Sequence, residues 1–390
     1  MVSEAALSTA PTNRMDELAH IAQQFLGNAA AGSIRPLGNG NINDTYLVKA
    51  KHPAAARFVL QRINQDVFPC PHQVMDNLCA FMDHVHQQRS TLPLERPWEV
   101  PTVLRTAKNR PYWQDSQGHV WRGLSFVENT TTFDTIQSQD HATEVGYGLG
   151  CFHRLLSDLP ITNLADTLPG FHITPGYLQQ YDAVIAQTET FSLEEHRCCK
   201  LISDHRHQLS VLENAKAEGC LPLRVIHGDP KINNILIDSS TGHAVSLIDL
   251  DTVKPGLVHY DIGDCLRSSC NPLGEETSHW QDVTFDMQMC TAVLQGYLAC
   301  AKEFLTPVEY DYIYEAIWLI TFELGLRFFS DHLAGDVYFK IQRPNHNLQR
   351  ALVQFQLAES IREQQQSIQT VISQLKTNYC SETNCAELLE

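Results

Sequence analysis

The sequence predicts an α+β protein of two lobes, with a small β-rich N-terminal lobe and a larger, mainly helical C-terminal lobe. The chain has 390 residues, and single hydrophobic cores seldom exceed about 300 residues, so more than one unit is expected. Short β-type runs dominate up to about residue 130, whereas helical periodicity dominates beyond it. The composition is 43% hydrophobic and 19% charged, as in a globular chain. We therefore predict domains at residues 1–130 and 131–390.

The N-terminal lobe is predicted to begin with a helix over residues 15–28. Its predicted strands are 33–37, 44–49, 57–63, 100–106 and 120–127. Between the third and fourth strands, Val74, Leu78, Phe81 and Val85 recur at helical spacing, which indicates an amphipathic helix. The segment 38–43 should join the first two strands as a hairpin, because its glycines permit positive φ.

The C-terminal lobe is predicted to be helical, apart from one short hairpin between Val225 and Ile248. The apolar run 313–326 predicts a buried helix, and the Gln-rich run 349–375 predicts another. Gly146 and Gly150 stand four residues apart in a helical pattern, so we expect that helix to pack closely against a neighbour.

Charge excludes some classes of function. The chain has 28 Lys and Arg against 45 Asp and Glu, a net charge of −17, which would repel nucleic acid and anionic membranes. No run is long enough to span a membrane, and the first residues do not read as a signal peptide. The twelve cysteines form no paired CxxC arrays, which favours reduced thiols. We expect a cytoplasmic protein, and nothing implies a protein partner.

The predicted hairpin carries a cluster of oxygen-bearing side chains. Its expected register places Asn234 opposite Asp249, and Asp229 lies in the loop that enters the same end. An amide oxygen and a carboxylate are ligands that Mg²⁺ accepts, so Asn234 and Asp249 form a predicted metal site. Asp261 and Asp264 lie near a predicted helix start, where we expect them to cap the helix and brace the metal-binding loop.

The spacing of this segment resembles that of kinase-like phosphotransferases. The pattern His227-Gly-Asp229, then Asn234, then Ile248-Asp-Leu-Asp251, is similar to their catalytic loop and metal-binding segment. The His-Gly-Asp form resembles the aminoglycoside phosphotransferase and choline kinase superfamily. Further blocks resemble N-acetylhexosamine 1-kinases, namely residues 37–46, 58–64, 248–256, 260–264 and 323–331.

The resemblance implies a bilobal protein-kinase-like fold that uses ATP and Mg²⁺. It implies phosphorylation of the anomeric hydroxyl of N-acetylglucosamine or N-acetylgalactosamine, which gives the sugar 1-phosphate and ADP. Asp229 resembles the general base that orients the sugar hydroxyl, and Asn234 and Asp249 resemble the metal ligands. The only expected partners are therefore ATP and a small sugar.

The resemblance also suggests which residues hold the sugar. Arg327 and Tyr338 match sugar-binding positions, and Asn41 lies where relatives often have His. An alternative for Arg327 remains open, because Glu323, Arg327 and Asp331 follow each other at helical spacing. They would then form a surface row of salt bridges worth about 0.3–0.5 kcal/mol per pair.

The nucleotide site is predicted from three segments. The Gly38-Asn39-Gly40 hairpin would cover the phosphates through backbone N–H groups. Kinase-like folds usually place a lysine on the third strand, but this chain has Gln61 and Arg62 there, on opposite faces of the strand. Either Gln61 holds phosphate as a neutral donor, or Arg62 turns inward. Glu128 and Asn129 are the predicted adenine hinge, acting through the backbone.

Two other functions stay open at this point. The same fold and reaction would serve another small alcohol, such as an amino alcohol, an aminoglycoside-like antibiotic or a different sugar. The absence of the strand lysine would also suit a nucleotide-binding module without catalysis, although Asp229, Asn234 and Asp249 are all present.

Overall fold

The structure is a computed structural model that describes residues 11–27, 29–38, 42–51, 57–88 and 96–386. The chain divides into two compact units. The first unit comprises Met1–Asp83 and Glu99–Glu128, and the second comprises His84–Trp98 and Asn129–Glu390. The last boundary between the units therefore follows Glu128, two residues before the predicted boundary at residue 130. Residues 84–98, which the sequence analysis placed in the first domain, group with the second unit.

The described part of the first unit contains an antiparallel sheet of six strands. These are β1 (Ala31–Pro36), β2 (Asp44–Ala50), β3 (Arg57–Arg62), β4 (Val103–Leu104), β5 (Trp113–Gln114) and β6 (Val120–Ser125). Their order is β1-β2-β3-β6-β4, and β5 also pairs with β6. The α+β class and the strand-rich N-terminal region are confirmed. Of the predicted hairpin 38–43, residues 39–41 lie outside the described residues.

Alternation along the strands gives this sheet two different faces. On one face, Val48, Phe58 and Trp121 pack with Leu18 and Ile21 of helix α1 (Pro11–Gln23) in a buried cluster. The opposite face carries the polar side chains of Thr45, Gln61 and Arg122 together with apolar residues such as Leu47 and Val59.

Helix α2 (Pro71–Gln88) confirms the amphipathic helix that the sequence predicts. Val74, Leu78, Phe81 and Val85 are all buried. The boundary between the two units along the chain falls within this helix, since the first unit's segment ends at Asp83.

The described part of the second unit is mainly helical. Its helices are α3 (Gln139–Leu155), α4 (Thr174–Ile185), α5 (Leu193–His205), α6 (Val211–Ala217), α7 (Val258–Ser269), α8 (Met287–Ala301), α9 (Pro307–Asp311), α10 (Ile313–Leu333), α11 (His346–Glu363) and α12 (Gln365–Ala386). Its strands are β7 (Thr130–Thr131), β8 (Arg224–Ile226), β9 (Ile235–Asp238), β10 (Ala244–Leu247) and β11 (Lys254–Gly256). β9 pairs with β10 in the predicted hairpin and with β7, while β8 pairs with β11.

Helices α3 and α8 make the close contact that the glycine spacing predicts. A Cβ atom on Gly146 would lie 1.9 Å from the Val293 carbonyl oxygen, and one on Gly296 would lie 2.0 Å from the Thr143 oxygen. These distances leave room for hydrogen but not for a methyl group, so the two backbones touch directly.

Helix α10 is the buried helix predicted at 313–326, and it runs on to Leu333. No helix among the described residues has the length and apolar character to cross a membrane. The predicted helix 349–375 is instead two helices, α11 and α12, which break at Gln364. The side chain of Gln364 donates to the Phe285 carbonyl, at 2.9 Å, where the first helix ends.

Candidate active site

The loop between β8 and β9 carries the His-Gly-Asp motif, and His227 lies fully buried at its base. Its Nε2 donates to the Ile248 carbonyl at 2.9 Å, and its Nδ1 accepts the Asp229 backbone N–H at 3.2 Å. Burial lowers the pKa of His227, which favours the neutral ring that these two bonds require. His227 therefore shapes the loop and ties it to the end of β10.

Asp261, in the first turn of α7, braces the same loop. Its two carboxylate oxygens accept the backbone N–H groups of His227 at 2.6 Å and Gly228 at 2.8 Å. The first oxygen also contacts Nε2 of His153 at 2.9 Å, and His153 contacts the Tyr297 hydroxyl at 3.1 Å. Asp261 therefore braces the loop at His227 and Gly228. The expected capping role is wrong, because the N-cap of α7 is Leu257 without a side-chain hydrogen bond, and Asp264 binds Arg267 instead.

Only glycine suits the middle of this motif. Gly228 has a φ of +85°, and a Cβ atom there would lie 2.8 Å from Cβ of Thr252. The Thr252 hydroxyl donates to the His227 carbonyl at 2.7 Å, which holds the two segments together. This packing explains in physical terms why the motif reads His-Gly-Asp here.

Asp229 lies at the open side of the loop, with its side chain 32% exposed. One carboxylate oxygen forms an ion pair with Nζ of Lys231 at 2.9 Å. The Asp229 carboxylate is the main cause of a raised pKa for Lys231, and Asp249 and Asp264 contribute as well. These three carboxylates therefore lie within electrostatic range of one ammonium group. The sequence analysis did not single out Lys231, although it stands two residues after Asp229.

Asn234 lies against Asp229, as the loop spacing suggested. Its Nδ2 donates to the Asp229 carbonyl at 2.8 Å and lies 3.4 Å from the carboxylate. The amide oxygen must then face the other way, and no donor among the described residues bonds to it. Asn234 thus offers a free oxygen beside the proposed base.

The predicted register of the hairpin is wrong by one residue. Ile248, and not Asp249, lies opposite Asn234, because the Ile248 N–H donates to the Asn234 carbonyl at 2.9 Å. The turn lies earlier than predicted, because the Asp238 N–H donates to the His243 carbonyl, and the β-bulge between Ala244 and Ser246 offsets only part of that shift. Asp249 follows directly and has a left-handed backbone, with φ 64° and ψ 56°. Such a conformation is uncommon outside glycine and is frequent at functional sites.

The donor set of Asn234 and Asp249 fits a magnesium ion. In the part of the chain that the structure describes, no group of three or more His, Cys, Asp or Glu side chains forms a ready metal cluster. Mg²⁺ does not need one, since it commonly binds one or two carboxylates together with water and substrate phosphates. The hard oxygens of one amide and one carboxylate suit that mode of binding.

A buried histidine that the sequence analysis missed supports the loop from behind. His172 has both ring nitrogens on acceptors, with Nδ1 3.0 Å from the Glu323 carboxylate and Nε2 3.0 Å from the Gly228 carbonyl. The Thr174 hydroxyl donates to the second oxygen of Glu323 at 2.6 Å. Burial alone would lower the pKa of His172, but Glu323, with smaller contributions from Asp264 and Gly228, raises it above the ordinary value. Because an acceptor lies on each ring nitrogen, both nitrogens must donate, and this geometry requires the protonated, cationic ring.

Arg327, one helical turn after Glu323 on α10, is enclosed by aromatic rings. Its guanidinium lies 5.2 Å from the Phe171 ring centre, 4.9 Å from that of Tyr177 and 5.5 Å from that of Phe339. Among the described residues, no carboxylate forms an ion pair with Arg327. We call these three rings and Arg327 the arginine cage.

The alternative of a surface row of salt bridges is wrong. Glu323 is 1% exposed and binds His172, as described above. Asp331 is 7% exposed, and it accepts backbone N–H groups of Val337, Tyr338 and Phe339 at 2.7–3.0 Å. Asp331 thereby orders the loop that carries Phe339 of the cage and the half-exposed Tyr338.

The arginine cage and the loop at 227–234 share one segment. Phe171 belongs to the cage, and its neighbour His172 binds Gly228, next to Asp229. His172 has a φ of 64°, a strained conformation for a bulky residue that its two hydrogen bonds hold in place. No spacing in the sequence signals this pairing, because residues 170–174 lie far from both partners along the chain.

The predicted nucleotide-binding residues lie mostly in the first unit. Gln61 bonds to Thr45 and Arg122, whereas Arg62 forms an ion pair with Asp44 at 2.6 Å. Glu128 pairs with Arg57 through a 2.9 Å hydrogen bond. In the second unit, the Asn129 carbonyl accepts the Ser239 N–H. Gly38 has a φ of +70°, while Asn39, Gly40 and Asn41 lie outside the described residues.

Comparison with known proteins identifies a family and a fold for this chain. The sequence profile of the phosphotransferase enzyme family matches residues 33–288. A microcompartment-associated aminopropanol kinase has a similar structure, with 18% identity, a TM-score of 0.60 and coverage of 90% of this chain and 98% of that one. An aminoglycoside phosphotransferase from Alicyclobacillus acidocaldarius has 15% identity and a TM-score of 0.59, with coverage of 97% of this chain and 98% of that one. A choline kinase from Cryptosporidium parvum has 14% identity and a TM-score of 0.58, with coverage of 93% and 99%.

These similarities extend over nearly the whole chain, and they show the kinase-like fold. The family match covers well over half of the residues and includes the loop built around His227, Asp229 and Asn234. The chain belongs to the phosphotransferase enzyme family, and it is a phosphotransferase.

Proposed function

We propose that the protein is an ATP- and Mg²⁺-dependent N-acetylhexosamine 1-kinase. It transfers the γ-phosphoryl group of ATP to the anomeric hydroxyl of N-acetylglucosamine or N-acetylgalactosamine and releases the sugar 1-phosphate and ADP. In this proposal, residues 1–130 bind the nucleotide, and residues 131–390 carry the catalytic residues and the sugar site.

The arginine cage is the observation that carries the choice of acceptor. Aromatic rings that bind a cationic ligand must be free to receive it, but here Arg327 already occupies the space between Phe171, Tyr177 and Phe339. A guanidinium with no ion-pair partner among the described residues offers N–H donors in a fixed plane. Such donors suit the hydroxyl and amide oxygens of an N-acetylhexosamine.

The cage lies close enough to the catalytic loop to take part in acceptor binding. Although burial lowers the pKa of Arg327, Tyr177 and Glu323 raise it, and Asp264 adds a smaller contribution. The pKa of Lys231 is raised mainly by Asp229, and Asp264 again contributes, so both cations lie within its electrostatic range. Lys231 in turn contacts Asp229. Asp331 fixes Tyr338 at the edge of the cage, where its exposed ring provides an apolar surface for a sugar.

An amino alcohol is the second candidate acceptor. Two structural neighbours are an aminopropanol kinase and a choline kinase, and the net charge of −17 would attract a cation. Arg327 argues against it, because a fixed positive charge at the acceptor site would repel an ammonium group over a distance of a few ångströms.

Catalysis in this proposal depends mainly on position. Asp229 accepts the proton of the anomeric hydroxyl and aligns its oxygen for in-line attack, while Asp261, His172 and His227 hold the loop that carries it. Asn234 and Asp249 would hold Mg²⁺, which neutralises phosphate charge when bound. Gly38, Asn39, Gly40, Gln61, Arg62, Glu128 and Asn129 are the proposed nucleotide-binding residues, and Asn41 is a proposed sugar contact.

A panel of acceptors tests the proposal. Purified protein with ATP and Mg²⁺ is given N-acetylglucosamine, N-acetylgalactosamine, glucose, choline, 1-amino-2-propanol and an aminoglycoside, and ADP release is measured for each. We expect the two N-acetylhexosamines to give the highest kcat/KM. Faster turnover of choline or 1-amino-2-propanol would contradict the sugar assignment, and the fold and reaction would then serve an amino alcohol.

A further inference from the structure

The face of the N-terminal sheet that lies opposite α1 contains a cation that the proposed mechanism has not used. Arg122, on β6, is directly opposite Gln61, on β3, and Gln61 is opposite Thr45, on β2. Directly paired residues on neighbouring strands share a face, so these three side chains form one row across the sheet. We call it the Arg122 row.

Arg122 is 1% exposed and is among the largest fully buried side chains of the described residues. Its Nε and one terminal nitrogen donate to Oε1 of Gln61, at 3.0 Å and 2.8 Å. A guanidinium does not lose its proton in proteins, so a permanent positive charge lies beneath this glutamine.

This contact fixes the orientation of the Gln61 amide. Because Arg122 has only donors, the amide oxygen must face it, and the NH₂ group must face away. One N–H then reaches the Thr45 hydroxyl at 3.1 Å. Among the described residues, the second N–H of Gln61 has no acceptor, and the side chain is only half-buried. The Gln61 amide therefore presents an N–H donor on the sheet face opposite α1.

We propose that Arg122 is a positioning residue for nucleotide binding, which acts through Gln61. It holds the Gln61 amide with its NH₂ group toward an ATP phosphate and adds positive charge behind it. Together, Arg122 and Gln61 supply the donor and the charge that a strand lysine would otherwise supply. This inference rests on the proposed use of ATP, but it does not depend on which alcohol is the acceptor.

The Gln61→Glu variant tests the inference with a side chain of the same shape. One carboxylate oxygen would pair with Arg122, so the folded state should be as stable as the wild type or more so. The second oxygen would replace the NH₂ group and repel phosphate. We expect calorimetry with a non-hydrolysable ATP analogue and Mg²⁺ to show affinity lowered by about tenfold to a hundredfold, the range for a lost hydrogen bond to a charged group.

Two further variants separate a binding role from a structural one. Arg122→Met should also weaken analogue binding, since the Gln61 amide can then rotate and exchange the positions of its oxygen and its NH₂ group. The double variant with Gln61→Lys and Arg122→Met should recover most of the affinity, because a lysine next to a neutral side chain restores the charge. Lys49→Met, which removes an exposed cation farther along β2, is the matched control and should bind like the wild type.

The outcomes distinguish this inference from the proposed function. A folded Gln61→Glu variant that binds the analogue as tightly as the wild type would overturn the inference, as would a wild-type protein that binds no analogue. If the wild type binds the analogue but phosphorylates no N-acetylhexosamine, a weakened Gln61→Glu variant still supports the role of Arg122. Only the proposed acceptor would then be wrong.

Discussion

Asp229 and Arg327 are proposed to act at different steps, because one contacts the reacting hydroxyl and the other holds the body of the acceptor. Asp229 is part of a loop whose backbone N–H groups donate to Asp261 and whose Gly228 carbonyl accepts from His172. Arg327 is fixed by three aromatic rings. Substitutions at the two positions should therefore change different kinetic constants.

The Asp229→Asn variant should have a much lower kcat. The amide has nearly the same size but cannot accept a proton, and general-base catalysis contributes about 10²–10⁴-fold. Analogue binding should change little, since the nucleotide is proposed to contact other residues. Steady-state kinetics and calorimetry measure the two effects, and a variant that keeps more than half of the wild-type kcat would contradict the assigned role.

The Arg327→Met variant should instead raise the KM for the sugar. A donor remote from the transferred phosphoryl group binds the ground state and the transition state similarly, so kcat and the KM for ATP should stay close to the wild-type values. Loss of a hydrogen bond from a charged group predicts a rise of about tenfold or more. Arg197→Met is the control, because Arg197 also lies over a ring, that of Trp280, outside the proposed site. A higher KM for ATP with an unchanged sugar KM would show that Arg327 contacts phosphate.

His172 should make stability depend on pH. Its pKa is raised in the folded state, so its protonated form contributes stability that is complete below its ordinary pKa of 6.5 and is lost as pH rises through the raised value. Glu323 contacts the ring, and Asp264 lies within electrostatic range of it. Urea unfolding from about pH 6 to pH 9 should show that the wild type loses stability relative to His172→Gln. Parallel curves for the two proteins would rule out a buried cation at residue 172.

At the scale of elements, the contact between α3 and α8 depends on glycine. Both helices expose backbone to each other at Gly146 and Gly296. The sequence predicted this contact, because two small residues four apart mark one face of a helix. The partner helix was not predicted, since α8 lies far along the chain.

The Gly146→Ala variant should be less stable than the wild type. The new methyl group would overlap the Val293 carbonyl oxygen, and overpacking of this kind costs about 1–3 kcal/mol. Gly176→Ala is the control, because nothing lies within 4 Å of the position of a Cβ atom there. That variant should gain up to about 1 kcal/mol from helix propensity. Equal urea midpoints for the two variants would contradict the contact.

The β9–β10 hairpin shows where prediction from sequence stops. Turn residues and two apolar runs were enough to predict the hairpin, and they placed Asn234 and Asp249 at the same end. They misplaced the centre of the turn, since the Asp238 N–H donates to the His243 carbonyl. They also could not predict the β-bulge between Ala244 and Ser246, which offsets part of that shift and leaves Ile248 opposite Asn234. A one-residue error of this kind is easily made, because register depends on turn geometry.

For the whole molecule, the sequence predicted the fold class and the local motifs but missed the contacts between distant segments. The motif at 227–234 is local, and so is the strand that carries Gln61. The contacts of His172 with Gly228 and of Arg122 with Gln61 join segments with no shared spacing. The arginine cage likewise draws on three separate elements. Such pairings follow from tertiary packing, and single-sequence periodicity does not record them.

The most direct test of the central claim is to identify the product. The protein is incubated with ATP, Mg²⁺ and either N-acetylglucosamine or its methyl glycoside, which lacks a free anomeric hydroxyl but keeps every other hydroxyl. Phosphorus NMR should show a sugar 1-phosphate from the free sugar and no phosphorylated product from the glycoside. A phosphate ester on the glycoside, or one at another carbon of the free sugar, would contradict phosphorylation at the anomeric position.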